Sequence, residues 1–231
     1  VNINYLKDVY QLKQTEIQIL LYLEEHLQEL NDLSIRFVAK NCFTSPATII
    51  RLAKKLNLSG YSELIYKIKE SHLAPNTIAD LALEEKSIQS FCQLMNQNQD
   101  CLISVISLGF ASHIANYMSE VFNFHGIPSI TTAHTQLINR RNNQKILLIV
   151  VSHSGEEEQL KATVALAKAA EQPIIAFLGT QQSTIAKQAD LVFSSESFSP
   201  FSTSVARPQF FFGRTLITFE SLICTYINAI K

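Results

Sequence analysis

The sequence predicts two folds in series: an all-α domain over residues 1–74, joined to an α/β domain over residues 75–231 with a parallel five-stranded sheet flanked by helices. Three observations predict this. Residues before Pro75 place apolar side chains at helical spacing and contain no strand-like run. The pattern breaks over His72–Thr77, where Pro75 disfavours helix at Ala74. From Cys101 onward, short continuous apolar runs alternate with helical segments, as in a parallel sheet covered on both faces.

The elements follow in order. Ile17, Leu20, Leu21 and Leu23 seed a helix after Thr15, which is read as its cap. Ile35, Val38 and Ala39 share one face of the next helix. Ser45 can cap a further helix, with Pro46 at its first position, where a missing N–H costs nothing. Ile49, Leu52, Ala53 and Leu56 form its buried stripe, and Thr48, Arg51, Lys54 and Lys55 lie largely off that stripe. Ser59-Gly60-Tyr61 ends the unit, Gly60 being expected at positive φ, and another helix follows from Ser62. Residues 78–98 read as helix.

In the second domain, Cys101–Ile106 is the first strand and Ser112 to His125 a helix. Ser129–Thr132, Ile146–Val151, Pro173–Leu178 and Asp190–Phe193 are the remaining strands. Helices are expected over Glu156–Ala170 and Ser183–Gln188, and a long apolar one, Pro208–Ile230, closes the chain and offers a surface for association.

Two short helices around a tight turn, the second opening on small polar residues and closing on basic ones, form the layout of a helix-turn-helix that reads duplex DNA. Ser45, Ala47 and Thr48 would approach base edges in the major groove. Arg51, Lys54 and Lys55 would meet bases or phosphates, and Tyr61 completes the candidate DNA-binding set. From Leu33 to Lys69 there are Arg36, Lys40, Arg51, Lys54, Lys55, Lys67 and Lys69 against Glu63 alone, so 7 − 1 = +6, on a chain of net charge −1. A local basic surface on a near-neutral protein is what phosphate contact requires. On periodicity alone, an amphipathic helical hairpin with a solvated basic face would fit equally well.

Composition bounds the other possibilities. The 231 residues, 47% hydrophobic, suffice for two small domains with real cores. No apolar run reaches the ~20 residues of a membrane span, and the start carries no secretory signal pattern. Cys42, Cys92, Cys101 and Cys224 are scattered without a CxxC pair, which suits reduced cysteines packed in a cytoplasmic protein. His113, His134 and His153 follow successive strands, but their pattern is not that of a metal site, and no cofactor is expected.

Ligands on parallel sheets bind beyond the carboxyl ends of the strands. Here those ends carry Ser107-Leu108-Gly109-Phe110-Ala111-Ser112 and Ser152-His153-Ser154-Gly155-Glu156. Hydroxyls and free N–H groups at a helix start can cradle phosphate, although the same residues also simply cap helices.

The chain resembles the RpiR type of bacterial transcriptional regulator, in which a helix-turn-helix domain precedes an SIS (sugar isomerase) domain. Thr44–Leu64 carries the first half of the resemblance, and Ile149-Val-Val-Ser-His-Ser-Gly155 carries the second. Ala189-Asp190 and Arg207 also fit. The resemblance implies an SIS-like sheet and a dimeric or tetrameric DNA-binding regulator that senses a phosphosugar. Its ligand site would comprise Ser107, Gly109, Ser112, Ser152, His153, Ser154, Gly155 and Glu157.

The chain departs from the family pattern at that site. Ser107 and Ala111 replace a glycine and a serine after the first strand, Glu157 replaces a threonine after the third, and Leu178 stands where a threonine often ends the fourth. A carboxylate ~5 Å from one phosphate charge costs about 3 kcal/mol at an effective dielectric of ~20, before screening. The expected effector is therefore a phosphosugar, a cationic or differently placed ligand, or none. The alternatives to a regulator are an aldose–ketose isomerase and an SIS domain kept only for oligomerisation.

Overall fold

The computed structural model describes residues 3–26, 30, 33–73, 83–132, 145–201 and 210–230. They belong to two compact units, Val1–Pro75 with Ser199–Pro208, and Asn76–Phe198 with Gln209–Lys231. The residues of the expected boundary at 74–75, the helical reading of 78–82, the start of the last helix at Pro208, His134 and Arg207 lie outside the described residues.

The first unit is helical: α1 (Ile3–Tyr10), α2 (Gln14–Glu25), α3 (Ile35–Asn41), α4 (Pro46–Lys55) and α5 (Tyr61–Leu73). Leu20, Leu23, Val38, Ile49, Leu52, Leu64 and Ile68 are fully buried in one core, each contributing roughly 1.5–3 kcal/mol by leaving water. Thr15 does not cap α2. The cap position is Lys13, whose N–H donates to the Glu16 carboxylate at 2.7 Å. Leu21 turns outward, and Ile19 takes its place in the core.

Ser45 caps α4 as its sequence predicts, its hydroxyl accepting the Thr48 N–H at 3.2 Å. Gly60 is not at positive φ. Asn57 is, with φ 62°, one residue past the C-cap Leu56. The left-handed step falls there because the last α4 carbonyls must be closed: Leu58 N–H reaches back to Ala53 O at 2.9 Å and Asn57 N–H to Lys54 O at 3.0 Å.

The second unit contains α6 (Glu85–Gln97), β1 (Leu102–Ser107), α7 (Ala111–Phe124), β2 (Ser129–Thr131), β3 (Ile146–Ser152), α8 (Glu158–Ala169), β4 (Ile174–Leu178), β5 (Leu191–Ser194) and α9 (Phe210–Ile230). The strands form one sheet in the order β2-β1-β3-β4-β5, with every pair parallel.

Strand periodicity divides the core into two layers. Leu147, Ile149, Val151, Ile175 and Phe177 face one side, with residues of α6, α7 and α9. Ile146, Leu148, Val150, Ile174 and Ala176 face the other, with Leu160, Val164 and Ala167 of α8.

Ser183–Gln188 forms turns rather than a helix. Its later N–H groups bond locally, Lys187 to Ser183 O at 3.3 Å and Gln188 to Ile185 O at 3.0 Å, while those of Thr184 and Ile185 donate to Glu156 Oε1 and Gly155 O. The α9 helix has the length and hydropathy of a membrane span. However, Phe211, Phe219, Leu222, Ile223, Tyr226 and Ile227 along it are buried in the sheet core. The apolar face expected to serve association is therefore largely used within the chain itself. Exposed aromatic surface lies instead around α7, at Phe110 (81% exposed), Tyr117 and Phe124 (85% exposed).

Candidate functional site

The helix-turn-helix comes first in the chain. On α4, Ile49, Leu52 and Ala53 point inward. By 100° steps, Ala47, Ile50, Arg51 and Lys54 then share the opposite face, and all four are exposed. At its N-terminal end, Ser45, Thr48 and Arg51 form a chain. The Ser45 and Thr48 hydroxyls lie 3.0 Å apart, and Arg51 Nη2 donates to Thr48 Oγ1 at 3.3 Å. The guanidinium is thus held beside the free N–H end of the helix, the end that recognition helices of helix-turn-helix domains turn toward a major groove.

Two of the expected DNA residues have internal partners. Lys55 Nζ pairs with Glu16 Oε2 at 2.8 Å and donates to Gln11 O at 3.0 Å. Burial pulls the Glu16 carboxyl upward, but the Lys55 hydrogen bond, the Lys13 N–H and their charges outweigh it, so it stays below its ordinary value. Tyr61 donates its hydroxyl to Leu33 O at 2.7 Å. Burial, with Cys42 and Tyr22 nearby, pushes its pKa up to about 12, so it remains a donor at neutral pH. Ile50 went unnoticed in the sequence, although its spacing from Ala47 and Lys54 already put it on the outward face.

The second site lies where β1 and β3 meet. In a sheet of order 2-1-3-4-5 the chain leaves these neighbours in opposite directions, opening a crevice at their carboxyl ends. Ser107 pairs in register with Val151, which brings Ser107–Ser112 and Ser152–Glu157 to one edge. Gly109 turns at φ 61°, and its carbonyl accepts the Ser112 N–H at 3.1 Å. Ser112 sits in the first turn of α7, where His113 is exposed.

The loop after β3 is built tightly. Gly155 has φ 67°, and a Cβ there would fall 2.3 Å from Ser183 Oγ. Only glycine meets both conditions without strain. Gly155 N–H donates to Ser152 Oγ at 2.7 Å, and Glu156 N–H to Ser154 Oγ at 3.2 Å.

Two carboxylates occupy this cradle. Ser152 donates its hydroxyl to Glu157 Oε2 at 2.5 Å. Glu156, its side chain 11% exposed, accepts the Thr184 N–H at 2.6 Å and faces Lys161 Nζ at 3.5 Å. Groups suited to an anion thus already hold anions of the chain itself. Glu156, Ser183 and Thr184 went unread as site residues, since nothing in the sequence links the turn after β4 to the loop after β3.

His153 stacks on Phe211 with centroids 4.9 Å apart and meets Phe198 edge-on at 5.2 Å. Its Nε2 is 3.5 Å from Ser197 Oγ. Burial holds its pKa below the ordinary value against the opposing pull of Ser197 and Glu157, so the ring is neutral at pH 7. No group of three His, Cys, Asp or Glu side chains is arranged to hold a metal among the described residues.

Comparison with known proteins separates the same two parts. The helix-turn-helix domain of the rpiR family matches residues 3–76, and the SIS domain matches residues 103–219. The HTH-type transcriptional regulator GlvR of Bacillus subtilis is 28% identical over 204 residues, covering 81% of this chain and 78% of its own. Among solved structures, Vibrio vulnificus NanR in complex with ManNAc-6P superposes with a TM-score of 0.58 at 18% identity, covering 99% of this chain and 92% of its own. The sugar isomerase domain of an RpiR transcription factor from Sphaerobacter thermophilus superposes with a TM-score of 0.50 at 16% identity, covering 73% and 92%. At such identities the structural likeness speaks to fold alone, whereas the sequence matches speak to descent. The chain belongs to the RpiR family of helix-turn-helix transcriptional regulators that carry an SIS domain.

Proposed function

We propose that the chain regulates transcription in the cytoplasm by binding duplex DNA as a dimer or tetramer, without catalysing a reaction. We further propose that residues 75–231, a linker helix and SIS-like domain, sense a sugar-type metabolite at the β1–β3 crevice. The observation that carries the reading is the outward face of α4. There Arg51 is preset against Thr48 and Ser45, beside exposed Lys54, in a stretch free of carboxylates from Leu33 to Ser62. An isomerase would leave that face without a purpose. It would also need a firm phosphate grip and a placed base, whereas the cradle hydroxyl of Ser152 is already taken by Glu157.

The phosphosugar reading draws support from family membership and from ManNAc-6P bound to the related fold of NanR. Ser107, Gly109, Ser112, Ser152, Ser154 and Gly155 would line the site. The Ser152–Glu157 hydrogen bond favours a second reading, a neutral or cationic sugar that meets the Glu157 carboxylate directly. The test pairs a DNA shift assay with steady-state isomerase assays on the same preparation. Duplex binding without turnover of sugar phosphates is expected. Turnover without selective duplex binding would refute the proposal.

A further inference from the structure

Phe43 lies in the turn between α3 and α4 with φ 50° and is 97% exposed. The turn around it is closed by backbone bonds, Phe43 N–H to Lys40 O at 3.2 Å and Thr44 N–H to Ala39 O at 2.8 Å. A left-handed backbone suits glycine and strains a bulky L-residue. The ring buries almost nothing, so no packing offsets that strain. Fold stability alone would favour glycine here, and the cause of a phenylalanine must be sought outside the chain.

The surroundings identify the partner. Arg36 and Lys40 on α3 and Arg51 and Lys54 on α4 are all exposed, and no acidic residue interrupts residues 33–62. A polyanion fits such a surface. Ile50 is 40% exposed on the α4 face that carries Arg51 and Lys54. Phe37 on α3 is exposed as well, but it sits in regular helix, whereas Phe43 stands at a strained position and Ile50 on the outward face of α4. Exposed apolar side chains there call for an apolar group in the groove, and the major groove offers one, the thymine 5-methyl.

We infer that Phe43 and Ile50 determine operator specificity by contacting thymine 5-methyl groups. The inference rests on the reading of α4 as the DNA-recognition helix.

The test uses the full chain and a duplex selected by the wild type from a random pool. Each thymine of that duplex is then replaced by deoxyuridine, which deletes only the methyl. Wild-type affinity is expected to fall about fourfold at one or two positions, the value of one buried methyl-sized group. Phe43→Gly and Ile50→Ala are expected to bind the thymine duplex several-fold more weakly and to lose sensitivity to one such replacement each. Phe43→Gly should melt at the same temperature as the wild type or higher. Three results would overturn the inference: equal wild-type affinity for all thymine and deoxyuridine duplexes, wild-type affinity in both variants, or variant losses that are the same on both duplexes. A wild type that enriches no duplex at all refutes the DNA reading beneath it.

Discussion

Ser152 and Glu157 form a closed pair across the loop after β3. The serine hydroxyl donates to the carboxylate at 2.5 Å while accepting the Gly155 N–H at 2.7 Å. A phosphate entering this loop would have to take that hydroxyl from Glu157 and then sit beside its charge. Glu157→Thr removes both obstacles. Phosphosugar binding by the variant should tighten about tenfold or more after screening, measured by calorimetry across a phosphosugar panel. Equal affinity in the two proteins would show that the carboxylate is not the barrier.

Lys54 and Lys55 are neighbours with different tasks. Lys54 is exposed on the outward face, and Lys55 bridges to Glu16. Lys54→Ala should leave thermal stability unchanged and flatten the salt dependence of DNA binding by about one phosphate contact. Lys55→Ala should lower stability by roughly 1 kcal/mol, because it leaves the part-buried Glu16 carboxylate without its cation, and should change the salt slope little. The reverse assignment would show that the ion pair opens on DNA.

Much of this arrangement is legible in the sequence. Ser45-Pro46 announces the start of α4, and the apolar runs announce each strand to within two residues, because caps and continuous burial are local signals. The features read differently turn on hydrogen-bond partners that residue type alone does not reveal. Lys55 carries the same charge as Lys54, and only the packing of α2 against α4 shows that Glu16 claims it. Gly60 attracted the left-handed step that Asn57 takes, since either residue tolerates it and the last carbonyls of α4 decide. Ser183–Gln188 has helical composition, yet it closes as turns, with the Thr184 and Ile185 N–H groups serving the loop after β3. Glu157 is visible as a departure from the family pattern, but its grip on Ser152 appears only in three dimensions.

His153 gives the protein a pH response. Burial holds its folded-state pKa below the ordinary value near 6.5. As pH falls through about 6.5, the unfolded chain takes up a proton that the folded chain resists, so stability declines; above that pH both states are neutral and the full stability is present. Chemical denaturation from about pH 7.5 to about pH 5.5 should show this loss in the wild type and less of it in His153→Gln. Parallel curves for the two proteins would remove His153 as the cause.

Phe124 and Tyr117 on α7 leave exposed aromatic surface that would suit the proposed association. Sedimentation at micromolar concentration should show a dimer or tetramer, shifted toward monomer by Phe124→Asp. A stable wild-type monomer would contradict the proposed assembly and the paired reading of half-sites that accompanies it.

The outward face of α4 is proposed to read DNA, and Arg51 stands at its most informative position. It is exposed and held against Thr48 at the N-terminal end of the helix. The measurement is the equilibrium affinity of wild type and Arg51→Ala for the same selected duplex, at one fixed salt concentration, with folding of both proteins verified by thermal melting. Arg51→Ala should lose about 1–3 kcal/mol of affinity with an unchanged melting temperature, and differ less from the wild type on random-sequence duplex. Unchanged affinity for the selected duplex would take Arg51 out of the interface and contradict the assignment of α4 as the recognition helix.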